Sequence, residues 1–148
     1  MGLTVKQARL IAGLSQTELA RRAATSRTAL AAIEAGRRVP SEALRRRLIE
    51  ATGVRPSHVL AARRSEVELV LARHRVSGLR LAGSAARGED RQESDLDLVV
   101  SLPDGMGGLE LAEMGDELEA LLGVDVDIIS DRSTGPVADA IIASAVPA

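Results

Sequence analysis

The 148-residue chain has no cysteine, phenylalanine, tyrosine or tryptophan. The absence of cysteine excludes disulfide frameworks, zinc-thiolate sites and thiol catalysis. Because aromatic side chains are missing, the core has to consist of Leu, Ile, Val, Ala and Met, and the chain has no rings on which single-stranded bases stack. Asparagine is absent too, and Lys6 is the one lysine beside 18 arginines, a bias that we attribute to a GC-rich source genome.

Long apolar runs are also missing. No stretch reaches the roughly 18 consecutive apolar residues of a membrane helix, and the first residues lack the apolar centre of a signal peptide. We therefore expect no membrane contact and a cytoplasmic location. Hydrophobic residues form 45% and charged residues 27% of the chain, which is ordinary for one medium or two small globular domains.

The net charge of −2 conceals a strong division along the chain. Residues 1–77 carry 15 Lys and Arg against 6 Asp and Glu, a net charge of +9, whereas residues 78–148 carry 4 against 15, a net charge of −11. Such asymmetry predicts two modules with different partners. A basic half favours a polyanion, and an acidic half repels one unless a cation intervenes.

The basic half has the pattern of a helical bundle. Short apolar faces, a Ser-Gln-Thr-Glu capping box opened by Ser15, the N-cap Ser26 and the helix-terminating Gly36 divide it into segments. The predicted helices cover residues 4–12, 16–23, 27–35 and 41–52, with a fifth from residue 56. We place this domain at residues 1–62. Its second and third helices, joined by a short turn, fit the geometry of a helix-turn-helix.

Here the sequence resembles the Cro/C1-type, or XRE, helix-turn-helix family of DNA-binding domains. The residues that carry the resemblance are Gly13-Leu14-Ser15-Gln16, Glu18-Leu19-Ala20, Ser26, Leu30, Ile33-Glu34, Gly36 and Pro40-Ser41. The resemblance implies binding to double-stranded operator DNA, usually as a homodimer that reads two half-sites. It also implies that Arg9 and Glu34 join the first and third helices.

The resemblance further implies a set of DNA-contacting positions. Gln16 matches a phosphate-clamping glutamine, and the recognition helix would present Arg27 to a guanine edge. The full set is Gln16, Ser26, Arg27, Thr28, Ala32, Arg37 and Arg38, the last two as phosphate contacts of the following loop. The alternative is a helical bundle for protein contacts whose arginines are merely solvated.

The acidic half, residues 63–148, alternates helical and strand patterns, which is typical of a small α/β sandwich. Helices are predicted at residues 65–74, 85–88, 109–122 and 137–145, and strands at 79–82, 95–100 and 124–129. Because side chains alternate along a strand, Asp95 and Asp97 emerge on one face. Two adjacent carboxylates with no basic side chain nearby favour a Mg²⁺ or Mn²⁺ ion between them. Asp127 or Asp125 supplies a third carboxylate if the two strands are neighbours.

A glycine-serine pair follows the first predicted strand of this half. Gly83 and Ser84 stand at a strand-to-helix turn, where backbone N–H groups and a hydroxyl can bind phosphate. A phosphate-binding turn together with carboxylates that hold a metal is the equipment of phosphoryl or nucleotidyl transfer.

At this point the sequence resembles the minimal nucleotidyltransferases of the DNA-polymerase-beta-like superfamily. The matching motifs are Gly83-Ser84-Ala85-Ala86-Arg87-Gly88, Ser94-Asp95-Leu96-Asp97-Leu98-Val99-Val100 and Val126-Asp127-Ile128-Ile129. The resemblance implies a mixed sheet and a two-module fold, an all-α helix-turn-helix bundle followed by a small α/β (α+β) nucleotidyltransferase domain. By position, Asp95, Asp97 and Asp127 would be catalytic and hold Mg²⁺ or Mn²⁺, while Gly83, Ser84 and Arg87 would bind the triphosphate of ATP.

The two resemblances together imply an antitoxin. Members of the family often act as Mg-dependent protein adenylyltransferases that transfer AMP from ATP to a tyrosine hydroxyl of a HEPN-type ribonuclease toxin. The fused DNA-binding domain would then repress the operon of the pair. One alternative is a transcription regulator whose nucleotidyltransferase-like domain binds nucleotide or protein without catalysis. Another is transfer to a small molecule such as an antibiotic, although this domain is short for enclosing one.

Overall fold

The computed structural model describes residues 3–148, which fold as two compact units, Leu3–Val54 and Arg55–Ala148. The first unit is entirely helical, and the second combines helices with one sheet. The helix-turn-helix followed by an α/β fold that the sequence predicts is therefore confirmed. The helix over Pro56–Ala62 belongs to the second unit, and the domain boundary after residue 62 stays a prediction.

Each helix of the first unit begins at a hydroxyl residue. The helices are α1 (Val5–Ile11), α2 (Gln16–Arg22), α3 (Arg27–Glu34) and α4 (Glu42–Thr52). The side chains of the preceding Thr4, Ser15, Ser26 and Ser41 accept the backbone N–H of the third helical residue. These hydroxyls satisfy N–H groups that have no partner inside the helix, and each such cap is worth about 1 kcal/mol.

One capping detail differs from the prediction. Ser15 accepts from the N–H of Glu18 at 3.0 Å, but the Glu18 carboxylate binds Arg21 and Arg22 instead of reaching back. A complete capping box lies at α1, between Thr4 and Gln7. The two arginines one turn ahead of Glu18 compete successfully for its carboxylate because they carry a full charge.

The main core cluster of the first unit is aliphatic. Its buried residues are Val5, Leu19, Ala20, Ala23, Leu30 and Leu48, with Leu14, Ile33, Leu44, Ile49 and Ala51 packed against them. Each of the four helices contributes to this cluster. The packing holds α2 and α3 together as the two helices of the predicted helix-turn-helix.

The second unit contains five helices and a four-stranded mixed sheet. The elements are α5 (Pro56–Ala62), α6 (Arg64–Arg73), β1 (Ser77–Ala82), α7 (Gly83–Ala86), β2 (Leu96–Ser101), α8 (Gly108–Leu122), β3 (Val126–Ser130), α9 (Pro136–Ser144) and β4 (Val146–Pro147). The strand order is β3-β2-β1-β4. β1 is antiparallel to β2 and β4, and β2 is parallel to β3.

The two faces of the sheet have different characters. Leu96, Leu98 and Val100 share one face and are buried. Helix α8 covers that face, because a Cβ atom on its Gly115 would lie 3.7 Å from Cδ1 of Ile128, the register partner of Leu98. Strand alternation then places Asp97 on the opposite face, away from α8. The predicted separation of core side chains from aspartates is confirmed for β2.

Two features of the second unit were not predicted. The terminal strand β4 pairs with β1 over Arg80–Pro147 and Leu81–Val146, a contact too short to leave a strand pattern in the sequence. The first strand begins at Ser77 instead of residue 79. No helix within residues 3–148 is long and apolar enough to cross a membrane.

Candidate functional site

The pairing of β2 with β3 brings two of the predicted carboxylates together. In the parallel register Asp97 is the direct partner of Asp127, and adjacent strands run roughly 4.8 Å apart. Asp95 lies just before β2, two residues ahead of Asp97, so strand alternation gives both the same face. Two of the predicted aspartates are therefore partners at the start of β2 and β3, and the site of three aspartates stays a prediction.

The end of β1 completes this site from the other side. Ala82 is the antiparallel partner of Asp97, and Gly83 follows with φ +63°, a left-handed conformation that favours glycine. A Cβ atom on Gly83 would lie 2.1 Å from Oδ2 of Asp97. The backbone of the glycine-serine turn thus approaches the Asp97 carboxylate more closely than any other residue type allows.

Neighbouring groups shift the pKa of Asp97 in opposite directions. Partial burial raises the pKa of Asp97, the carboxylates of Asp127 and Asp95 raise it further, and the Arg87 guanidinium acts in the opposite direction. Asp125 is exposed and lies before β3, where its carbonyl accepts the N–H of Leu96. Asp127 is exposed as well, and its carboxylate acts on Asp97; its role as the third carboxylate stays a prediction.

The donor set fits a hard divalent cation. Carboxylates are the ligands that Mg²⁺ and Mn²⁺ prefer, and a cation bound near Asp97 would relieve the repulsion from Asp127 and Asp95. Within residues 3–148, however, no three His, Asp or Glu side chains are already arranged as a metal-binding group. The aspartates are neighbours that a cation would draw together.

The turn after β1 is a short, internally bonded loop. Helix α7 is one turn long, and the N–H groups of Gly88 and Glu89 donate to the carbonyls of Ala85 and Ser84 at 3.1 and 2.9 Å. Arg87 is exposed, and its Nε donates to the Glu89 carboxylate at 2.7 Å. This contact links Arg87 to the loop itself, and its predicted contact with the triphosphate stays a prediction.

Sequence reasoning missed one charged residue beside this loop. Asp90 lies in the polar stretch of residues 89–94, yet it is only 2% exposed. Its carboxylate accepts the N–H and the hydroxyl of Ser57 on α5, at 2.9 and 3.0 Å. No local signal marks Asp90, because its burial depends on a helix that lies 33 residues earlier in the chain.

The first unit presents most of its predicted DNA contacts at the surface. Arg27, Thr28, Arg37 and Arg38 are exposed, and Ala32 is half-buried one turn after Thr28. Ser26 is exposed and caps α3 by accepting the N–H of Ala29 at 3.0 Å. The basic side chains at the start of α3 and after its end are thus accessible to a polyanion.

Gln16 belongs to a hydrogen-bonded network that joins three helices. Arg9 donates two hydrogen bonds to the carboxylate of Glu34, at 2.7 and 2.9 Å, and Gln16 Nε2 donates to the same carboxylate at 2.9 Å. Burial and this geometry make the link between α1 and α3 strong. The Arg9–Glu34 contact that the resemblance implied is present, and the Gln16 amide is held at the start of α2.

Comparisons with known proteins agree with both units. Residues 65–144 match the nucleotidyltransferase domain family, and residues 1–63 match a helix-turn-helix domain family. A Methanocaldococcus jannaschii protein assigned as a protein adenylyltransferase is 36% identical over 45% of this chain and 72% of its own length. Protein adenylyltransferase MntA of Thermococcus cleftensis is 33% identical over 46% of this chain and 77% of its own.

Solved structures give the same result. A structure assigned as a minimal nucleotidyltransferase superposes with a TM-score of 0.55 and 42% identity, covering 62% of this chain and 95% of that chain. The chain belongs to the nucleotidyltransferase domain family and carries a helix-turn-helix domain in front of the transferase fold.

Proposed function

We propose that the protein transfers AMP from ATP to a hydroxyl group of a partner protein. The observation that carries this proposal is the alignment of Asp97 with Asp127 while the backbone of Gly83 lies against Asp97. This geometry unites a phosphate-binding turn with paired carboxylates at one end of the sheet. The names of the relatives support protein as the acceptor class.

In this proposal each group of site residues has a separate role in the reaction. Asp95, Asp97 and Asp127 would hold Mg²⁺ or Mn²⁺, which when bound neutralises phosphate charge and lowers the pKa of the attacking hydroxyl. Gly83, Ser84 and Arg87 would bind the triphosphate. The acceptor oxygen forms a bond to the α-phosphorus, the bond to the β-phosphate oxygen breaks, and pyrophosphate leaves. Asp127 would accept the hydroxyl proton or assist its loss to water.

A tyrosine acceptor, as the family resemblance implies, has to lie on another protein, because this chain has none. We propose that the acceptor is a HEPN-type ribonuclease toxin and that this chain is its antitoxin. In this proposal the helix-turn-helix unit, as part of a homodimer, represses the shared operon by binding double-stranded operator DNA. We propose a cytoplasmic location for this function, where ATP and operator DNA are both present.

Labelled ATP tests the transfer. The chain is incubated with Mg²⁺ and the product of the neighbouring gene, using ATP labelled at the α- or the γ-phosphate in parallel. AMP transfer leaves the α-label on the acceptor and releases the γ-label as pyrophosphate. Label from the γ-phosphate on the acceptor would contradict nucleotidyl transfer and indicate phosphoryl transfer.

Two aspartates two residues apart provide a matched pair of variants. We expect Asp127→Asn to abolish transfer and Asp125→Asn to retain it, since Asp127 is the register partner of Asp97. The reverse result would assign the third carboxylate to Asp125.

A regulator without catalysis is the second candidate. It is favoured by the absence, within the described part of the chain, of three side chains already arranged around a metal. Such a protein would bind ATP and DNA but incorporate no label into any acceptor. Metal-dependent incorporation of the α-label excludes it.

A further inference from the structure

The N-cap residue of helix α5 supplies no side-chain acceptor, and the local contact at this end is a long one, from the Arg55 N–H to His58 Nδ1 at 3.5 Å. Its N-cap residue is Arg55, whose side chain has no acceptor oxygen, and Pro56 has no N–H. The first free N–H is that of Ser57, and the carboxylate of Asp90 accepts it at 2.9 Å. A negative charge at this point is favourable because it faces the positive end of the helix dipole.

Arg55 connects the same helix to the loop by a second route. Its Nη1 donates to the carbonyl of Gly88 at 3.0 Å and lies 3.6 Å from Oδ1 of Asp90. The side chain of Asp90 is fully buried, and that of Arg55 is 35% exposed. Removing one partner of a buried charge is strongly destabilising, because the charge is then no longer compensated. Residues 55, 57, 88 and 90 therefore form one anchor between α5 and the loop.

This anchor fixes one end of the phosphate-binding loop, residues 83–90. At its other end Gly83 follows β1 directly and lies against Asp97. Between the two ends, the Glu89 N–H donates to the Ser84 carbonyl. This bond connects Ser84 to the end of the loop that the anchor holds. A loop held at both ends pays less conformational entropy when it closes on a ligand.

We propose that Asp90 and Arg55 are positioning residues of the nucleotide site, which hold the phosphate-binding loop in its binding conformation before ATP arrives. The proposal deepens the proposed function and rests on it. The proposal also gives α5 a role in positioning the nucleotide site of the second unit, although α5 lies in the segment that matches the helix-turn-helix family.

A simpler role for Asp90 is to cap α5 and nothing more. Arg55 distinguishes the two roles, because Arg55→Gln removes the bond to the Gly88 carbonyl while Asp90 keeps both bonds to Ser57. The substitution also removes the ion pair with Asp90 and the contacts with His58, neither of which caps α5 through Ser57. Arg64→Gln is the matched control, since Arg64 lies on the neighbouring helix α6 and pairs with Glu68 at 2.9 Å. It removes the same type of side chain and one ion pair, without contact to the loop.

The experiment measures two properties of the full chain. The dissociation constant of Mg-ATP is followed by near-ultraviolet circular dichroism, in which a chain without aromatic residues has no background. Amide hydrogen exchange of Gly88 and Glu89 is measured without nucleotide. The variants are Arg55→Gln, Asp90→Asn, Asp90→Ala, the double variant Arg55→Gln/Asp90→Ala and Arg64→Gln.

We expect Arg55→Gln and Asp90→Ala each to weaken Mg-ATP binding about 10-fold, as removal of a supporting residue commonly does, and to accelerate exchange of both amides. Asp90→Asn should lie between Asp90→Ala and the wild type because it keeps an acceptor oxygen. The double variant should be no weaker than Asp90→Ala, since both residues act through one anchor. Arg64→Gln should match the wild type in both measurements.

Wild-type binding and exchange in Arg55→Gln, with only a lower unfolding temperature in Asp90→Ala, would overturn the proposal and reduce Asp90 to a helix cap. Failure of the proposed function has a different signature. If the wild type binds no Mg-ATP, the transferase assignment fails, while the amide exchange still decides whether Arg55 and Asp90 anchor the loop.

Discussion

At the scale of single residues, the site depends on the close approach of the Gly83 backbone to the Asp97 carboxylate. Gly83 combines a positive φ with a position where a Cβ would overlap Oδ2 of Asp97. Both properties are invisible in the sequence, which shows only a glycine before a serine. The structure therefore explains why this motif needs glycine: the turn would otherwise push the Asp97 carboxylate away from Asp127.

Gly83→Ala should abolish most of the transfer activity. A displacement of about 1 Å at reacting groups costs about 100-fold in rate, and we expect a loss of at least that size in kcat/KM. Gly105→Ala is the control, because Gly105 has φ +80° but no heavy atom near its would-be Cβ. Both substitutions carry a backbone penalty of about 1–2 kcal/mol, measured by thermal unfolding, so equal activity loss in both would contradict the steric explanation.

At the scale of secondary structure, most of the fold follows from local patterns. Hydroxyl residues before each helix of the first unit, and alternating Asp and Leu in β2, act on their immediate neighbours, so the sequence alone reveals them. Strand β4 and the anchor at Asp90 depend on partners far along the chain. Non-local contacts of this kind leave no periodicity, and for this reason sequence reasoning missed both.

The link between α1 and α3 predicts how stability depends on pH. Hydrogen bonds from Arg9 lower the pKa of Glu34, burial opposes this effect, and Gln16 and the charge of Lys6 lower the pKa further. Because the folded pKa is below the unfolded one, the stabilisation is complete above the ordinary value of 4.5 and is lost as the pH falls through the folded value. Thermal unfolding of the full chain, measured at pH values above and well below 4.5, should show a lower unfolding temperature at the acidic pH.

Glu34→Gln should flatten this dependence. At neutral pH we expect it to lower the free energy of unfolding by about 1.5–3 kcal/mol, the usual worth of hydrogen bonds to a charged group. Below the folded pKa of Glu34 the variant and the wild type should converge. Glu50→Gln, which alters an exposed carboxyl on α4, serves as the control, and an unchanged pH profile in Glu34→Gln would contradict the role of the buried pair.

The ends of α3 predict two kinds of DNA contact. If Arg27 reads a guanine, Arg27→Ala should cost about 1–3 kcal/mol on a selected site and much less on random DNA. Arg37→Ala should weaken both DNAs equally and reduce the slope of log affinity against log salt by about 0.9, as loss of one phosphate contact does. Titrations of the full chain at several salt concentrations separate the two, and equal losses on both DNAs for Arg27→Ala would make it a backbone contact.

At the scale of the whole molecule, charge follows the division into two units. Residues 3–54 carry ten Lys and Arg against four Asp and Glu, whereas residues 55–148 carry nine against seventeen. The first unit is therefore suited to a polyanion, and the second to a cation that screens its aspartates from phosphate. This division matches the proposal that one unit binds DNA while the other transfers a nucleotide.

The most direct test of the account is the rate of AMP transfer by the full-length Asp95→Asn/Asp97→Asn variant. We predict no detectable transfer, with an unfolding temperature equal to or above that of the wild type, because removing adjacent charges relieves repulsion. DNA binding should persist, and a control variant, Asp116→Asn/Asp139→Asn, which removes two exposed helix carboxylates, should transfer AMP normally. Wild-type transfer by the Asp95→Asn/Asp97→Asn variant would contradict the assignment of these aspartates as the catalytic site.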